Sequence, residues 1–110
     1  MTFVTPETTI NKETILGDQN CKKFDTTSRV VVEYKGGTSL FFNPIVFALD
    51  KNGDQIGKKN LTIIKSDINH GKFTLKNGTY QVDGTVTFCN SDLENGNTIN
   101  NIGGLQIVFF

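Results

Sequence analysis

Asp50, Asn52 and Asp54 stand at the first three ligand spacings of a calcium-binding loop, in the run Asp50-Lys51-Asn52-Gly53-Asp54. Calcium needs oxygens around the whole ion, yet the sixth position is Gln55 where a Gly is required and the twelfth is Leu61 where a bidentate Glu is required. A hairpin turn built on Asn52-Gly53 is the reading that fits. A second oxygen-rich run, Ser91 to Asn97, places Asp92, Glu94, Asn95 and Asn97 close together, groups that take calcium or a sugar. Loops of this composition are more often simply solvated. The one histidine, His70, sits in an Asn-His-Gly turn with no serine or cysteine in a nucleophile motif. No catalytic constellation, metal site or cofactor is implied, so the expectation is a protein that is not an enzyme.

Cys21 and Cys89 carry the remaining chemistry. They have no CxxC spacing for zinc and are too few for a disulfide scaffold, but they suffice for one bond. A bond within the chain would close a loop of about seventy residues and stabilise the fold by roughly 4 kcal/mol in the chain-entropy model. The strand that holds Cys89 suggests another use. In Thr79 to Asn90, Tyr80, Val82, Gly84, Val86 and Phe88 fall on one face, and Gln81, Asp83, Thr85, Thr87 and Cys89 on the other. A cysteine on the polar face is a handle for other copies of the chain, unless Gly84 marks a bulge that flips the register.

The elements that must position these residues are short and β-rich. RVVVEY, SLFF, PIVFALD, a strand near Gln55 to Gly57, NLTIIKSD, KFTL, TYQVDGTVTFCN and the closing LQIVFF are β-branched or aromatic and are separated by Gly-Gly, Asn-Pro and Asn-Gly. Asn77-Gly78 predicts a hairpin joining Lys72–Leu75 to the strand that follows. About eight strands without a helical period predict an all-β fold, an antiparallel β-sandwich of the jelly-roll kind. Residues 1–20 show no sustained period and are expected to form an extended arm or connector, with 21–110 as a single domain. Leu105, Ile107 and Phe109 share one side of the last strand. Val108 and Phe110 take the other, which is either buried as well or turned to a neighbouring subunit.

Composition narrows the partners. The 110 residues suit one domain, and 14 Thr, 12 Asn, 11 Gly and 9 Phe against one Met favour strands and turns. Eleven basic and eleven acidic residues balance with no basic run, which argues against nucleic acid and anionic membranes as partners. No run reaches membrane-spanning length, and MTFVTPETTINKE lacks the basic and apolar regions of a secretory leader. The expectation is synthesis without a signal peptide. Asn60-Leu61-Thr62 and Asn77-Gly78-Thr79 match the glycosylation pattern, which such a route would leave unused. The chain has no Trp, so an aromatic platform for a sugar has to come from Phe.

Asp18-Gln19-Asn20-Cys21 ahead of a β-rich run, with Gly78-Thr79-Tyr80-Gln81 leading into the strand of Cys89, resembles the endospore appendage subunits of spore-forming bacteria. The resemblance implies a leaderless jelly-roll subunit that polymerises with copies of itself into an extracellular or spore-surface fibre. It also implies that Cys21 and Cys89 form disulfides between subunits. Residues 1–17 contain no cysteine, so Phe3 and Val4 are expected to dock the arm noncovalently. FTLKNGTYQVDGTVTF is also similar to strands of tumour-necrosis-factor and C1q-like jelly rolls. The alternative is a ligand-binding sandwich, a lectin or phage receptor-binding tip, that holds carbohydrate through Asp92, Glu94, Asn95 and Asn97.

Overall fold

The computed structural model describes residues 2–33, 40–42, 44–67, 71–73 and 78–109, with side chains described over 7–33, 44–67 and 78–109. Among the described residues nine strands run in chain order: β1 Thr2–Leu16, β2 Cys21–Glu33, β3 Leu40–Phe42, β4 Pro44–Leu49, β5 Gln55–Asn60, β6 Thr62–Ser66, β7 Gly71–Phe73, β8 Gly78–Cys89 and β9 Gly104–Phe109. Single 3-10 turns occupy Asn90–Asp92 and Ile99–Asn101. A four-stranded antiparallel sheet, β1-β2-β8-β6, faces a three-stranded one, β5-β4-β9, as a sandwich, and β3 pairs with β7 as a separate ribbon. β1–β2 and β4–β5 are hairpins, while the connections from β5 to β6 and from β8 to β9 pass between the sheets, as they do in Greek-key sandwiches.

The core follows from alternation. On β2, Phe24, Thr26, Ser28, Val30 and Val32 point inward, and on β8, Val82, Gly84, Val86 and Phe88 do the same. Val46, Ala48, Ile107 and Phe109 close the core from the facing sheet, and Leu93 and Ile102 plug it from the loops. Burying one such Val or Phe is worth about 1.5–3 kcal/mol. The hydroxyls of Ser28 and Thr26 share the interior: Ser28 Oγ lies 3.0 Å from Thr8 Oγ1, and Thr26 Oγ1 donates to the Gly84 carbonyl at 3.4 Å.

Residues expected to form a free arm are instead a strand of the domain. β1 pairs antiparallel with β2 from Thr2↔Glu33 to Leu16↔Cys21, with irregularities between Val4 and Glu7 and between Ile10 and Lys12. Each irregularity shifts the inward parity, so the apolar residues lose any single period along the segment. Tertiary pairing to β2 supplies what local pattern does not.

Gly84 also departs from expectation: the β2–β8 register runs without a break from Cys21↔Cys89 to Val32↔Gly78, so it marks no bulge on that side. A Cβ on Gly84 would lie 2.7 Å from Leu61 Cγ, so the glycine is needed for close approach. The Asn52-Gly53 turn is present, with Gly53 at φ 88° and Asp50 Oδ1 accepting from the N–H groups of Asn52 at 2.8 Å and Asp54 at 2.9 Å. The hairpin expected at Asn77-Gly78 falls on residues 74–77, outside the described ones; among the described residues β7 pairs with β3, and β8 pairs with β2 and β6. Tyr34, His70, Asn77 and Phe110 lie outside the described residues.

Candidate interaction face

The two sheets present unlike surfaces. The outward residues of β2 and β8 are Lys23, Asp25, Thr27 and Arg29 against Thr87, Thr85, Asp83 and Gln81, a polar face. Its side chains bond one another: Thr27 Oγ1 donates to Asp83 Oδ1 at 2.7 Å, Asn11 Nδ2 donates to Thr27 Oγ1 at 2.8 Å, and Arg29 lies 3.8 Å from Glu7. β4 is different. Pro44, Val46 and Ala48 turn inward, which leaves Ile45, Phe47 and Leu49 on the outer side of the three-stranded sheet. All three are partly exposed, none belongs to the core cluster, and Val108 of β9 stands directly beside Ile45. A strand that is apolar on both faces is normally covered on both faces.

The rows across this face are set by register. Asn60, Ile45 and Val108 form one row, Lys58, Phe47 and Gln106 the next, and Gln55, Leu49 and Gly104 the third. Gln55 Nε2 donates to Gln106 Oε1 at 3.2 Å, bridging β5 and β9 across β4. Beside Phe47 lies a depression of about 240 Å³ lined by Gln55, Gly57, Lys58 and Glu94.

Glu94 reaches the depression because its loop is pinned to β5. Its N–H donates to the Ile56 carbonyl at 2.8 Å, Asp92 accepts from the Cys89 N–H at 2.8 Å, and Lys59 Nζ lies 3.4 Å from Asp92. Gly57 permits the approach, since a Cβ there would lie 2.9 Å from Leu93 Cδ2 and 3.0 Å from the Asp92 carbonyl oxygen. Lys58 and Glu94 are exposed, and their side chains form no ion pair or hydrogen bond among the described residues.

The predicted site residues are distributed as follows. Cys21 and Cys89 are opposite one another in the β2–β8 register and are bonded within the chain, which corrects the expectation of bonds between subunits. The polar-face placement of Cys89 holds, but the residue facing it across the strands is Cys21, so neither thiol is free. The backbones of Phe3 and Val4 pair with Val32 and Val31 in the chain's own sheet rather than extending towards another subunit. Asp92 and Asn97 are engaged locally, Asn97 Nδ2 donating to the Glu94 carbonyl at 2.9 Å, and of the expected ligand loop only Glu94 lines the Phe47 depression. No group of three metal-ligating side chains occurs among the described residues, and no helix there is long and apolar enough to cross a membrane. Ile45, Phe47 and Leu49 were legible only as a strand; the unbroken apolar run PIVFAL was the signal that both of its faces are apolar.

No family model, curated protein or solved structure matches the chain.

Proposed function

We propose that this β-sandwich is a structural subunit that assembles with copies of itself through the outer face of its three-stranded sheet, and that it serves in an extracellular or spore-surface assembly. The contrast between the two outer faces carries the reading. An antiparallel sheet with one solvated face shows polar residues there, as β2 and β8 do, whereas β4 offers Ile45, Phe47 and Leu49 with Val108 alongside. Such a patch, rimmed by Gln55, Asn60, Gln106 and Lys58, is the pattern of a protein–protein contact.

Sedimentation velocity over a concentration series tests this, with Phe47→Lys as the control. The expected result is concentration-dependent association of the natural chain and a monomeric Phe47→Lys variant with an unchanged circular dichroism spectrum. A natural chain that stays monomeric at about millimolar concentration, where even a weak contact of Kd near 1 mM would show, sinks the reading.

A ligand-binding role has one observation in its favour. A groove of about 400 Å³ on the polar sheet is lined by residues that include Glu7, Thr27, Arg29, Tyr80 and Gln81, within the size range of small-molecule sites. It lies on the sheet, away from the Asp92–Asn97 loop. Its carboxylates, amide and guanidinium suit the hydroxyls of a carbohydrate. Titration of the chain with neutral oligosaccharides, followed by chemical shifts at Arg29 and Gln81, tests it: shifts at those two residues support the role, and their absence at about 10 mM sugar removes it.

A further inference from the structure

We infer that the occupant of the apolar sheet face is a second copy of the same face, docked about a two-fold axis that places Lys58 of each copy against Glu94 of the other; this rests on the self-assembly reading above. A two-fold contact uses one patch twice, so a residue i that meets j in the partner implies that j meets i. The face satisfies that condition by itself. Its apolar centre is Phe47 with Ile45, Leu49 and Val108, and the rim of the depression beside Phe47 carries one cation and one anion, Lys58 and Glu94. Neither is neutralised within the chain among the described residues, although the neighbouring Lys59 and Asp92 pair with one another at 3.4 Å. A face that left two opposite charges unpaired on one rim would be indifferent as a solvated surface. As half of a two-fold contact it supplies two ion pairs and meets no like charge. The Gln55–Gln106 bridge is uncharged and adds no repulsion when two faces meet.

Charge exchange tests the two-fold arrangement separately from association. Lys58→Glu makes both rim positions of every copy anionic, and Glu94→Lys makes both cationic. Each variant alone sets like charges against one another and is expected to associate at least tenfold more weakly than the natural chain in sedimentation equilibrium at low salt. An equimolar mixture of the two restores opposite charges at both contacts, so it is expected to form mixed dimers with an affinity within about threefold of the natural one. The double variant Lys58→Glu/Glu94→Lys is expected to self-associate like the natural chain. If the natural chain dimerises and Phe47→Lys abolishes this, but mixing the single variants restores nothing, the two-fold register is wrong while the apolar face remains the contact. If the natural chain does not associate at all, the assembly reading itself fails.

Discussion

Leu61 lies over Gly84 so closely that a Cβ on the glycine would stand 2.7 Å from Leu61 Cγ and 2.8 Å from both of its methyl carbons. Leu61 is also the corner of the fold. It follows β5 and precedes β6, where the chain leaves one sheet for the other, and its N–H donates to the Pro44 carbonyl at 3.2 Å. One residue therefore bonds to the three-stranded sheet through its backbone and fills the four-stranded sheet's inner face with its side chain.

Gly84→Ala is accordingly expected to destabilise the domain by about 1–3 kcal/mol through overpacking. Leu61→Ala should cost less in the Gly84→Ala background than in the natural chain, because the second truncation relieves the clash. Urea unfolding of the four chains measures both values, and strict additivity would show that the two side chains do not share this space.

The disulfide makes a separate prediction. Peptide mapping without reductant is expected to recover Cys21 bonded to Cys89, with no ladder of reductant-sensitive oligomers. Replacing both by Ser should lower the unfolding free energy by about 4 kcal/mol, as the chain-entropy model gives for a separation of 68 residues. Recovery of bonds between chains in a dilute, folded sample would contradict the assignment.

Removing residues 1–16 takes away the whole of β1 and leaves the edge of β2 without its partner from Cys21 to Glu33. The truncated chain is expected to aggregate or lose dispersed amide resonances. A well-dispersed proton–nitrogen spectrum from that chain would show that β1 is dispensable to the fold.

Asp50 organises the β4–β5 turn by accepting two backbone N–H groups, from Asn52 and Asp54. Asp50→Ala should cost about 1 kcal/mol, and Asp50→Asn a smaller amount, since an amide oxygen still accepts in such a turn. Midpoints of urea unfolding check the order; equal midpoints for Ala and Asn would remove the turn's dependence on that oxygen.

The parts of the fold legible in the sequence are those in which one face is buried without interruption. Tyr80 to Cys89 alternates cleanly because β8 is central, with β2 and β6 on its sides, and its inward set reads directly from Val82, Val86 and Phe88. β1 was not legible, because it is an edge strand whose two irregularities break the alternation and whose inward positions include the polar Thr8. Pairing was the least legible property. β3 and β7 pair with one another although nothing in either short run marks the other as its partner, since strand partners are chosen by the whole sheet rather than by adjacent residues. For the cysteines, alternation places Cys89 on the polar face but says nothing of the neighbouring strand, and the register of β2 decides that Cys21 lies opposite. The candidate face is half legible: Val108 lies on a side expected to be either buried or turned to a neighbouring subunit, while Phe47 is legible only as part of a strand.

The bond between Cys21 and Cys89 also limits how far the chain can be drawn out. Under tension applied at its two ends, the segment between the cysteines is bypassed, because load passes from residue 21 to residue 89 through the sulfurs. Only the 20 residues before Cys21 and the 21 after Cys89 can pay out. At about 3.5 Å per residue the extensible length falls to roughly 140 Å, against about 380 Å for the reduced chain. Force spectroscopy of a tandem array should show the short step when oxidised and the long one after reductant. A subunit built this way takes strain on β1 and β9, while the segment between the cysteines carries no load.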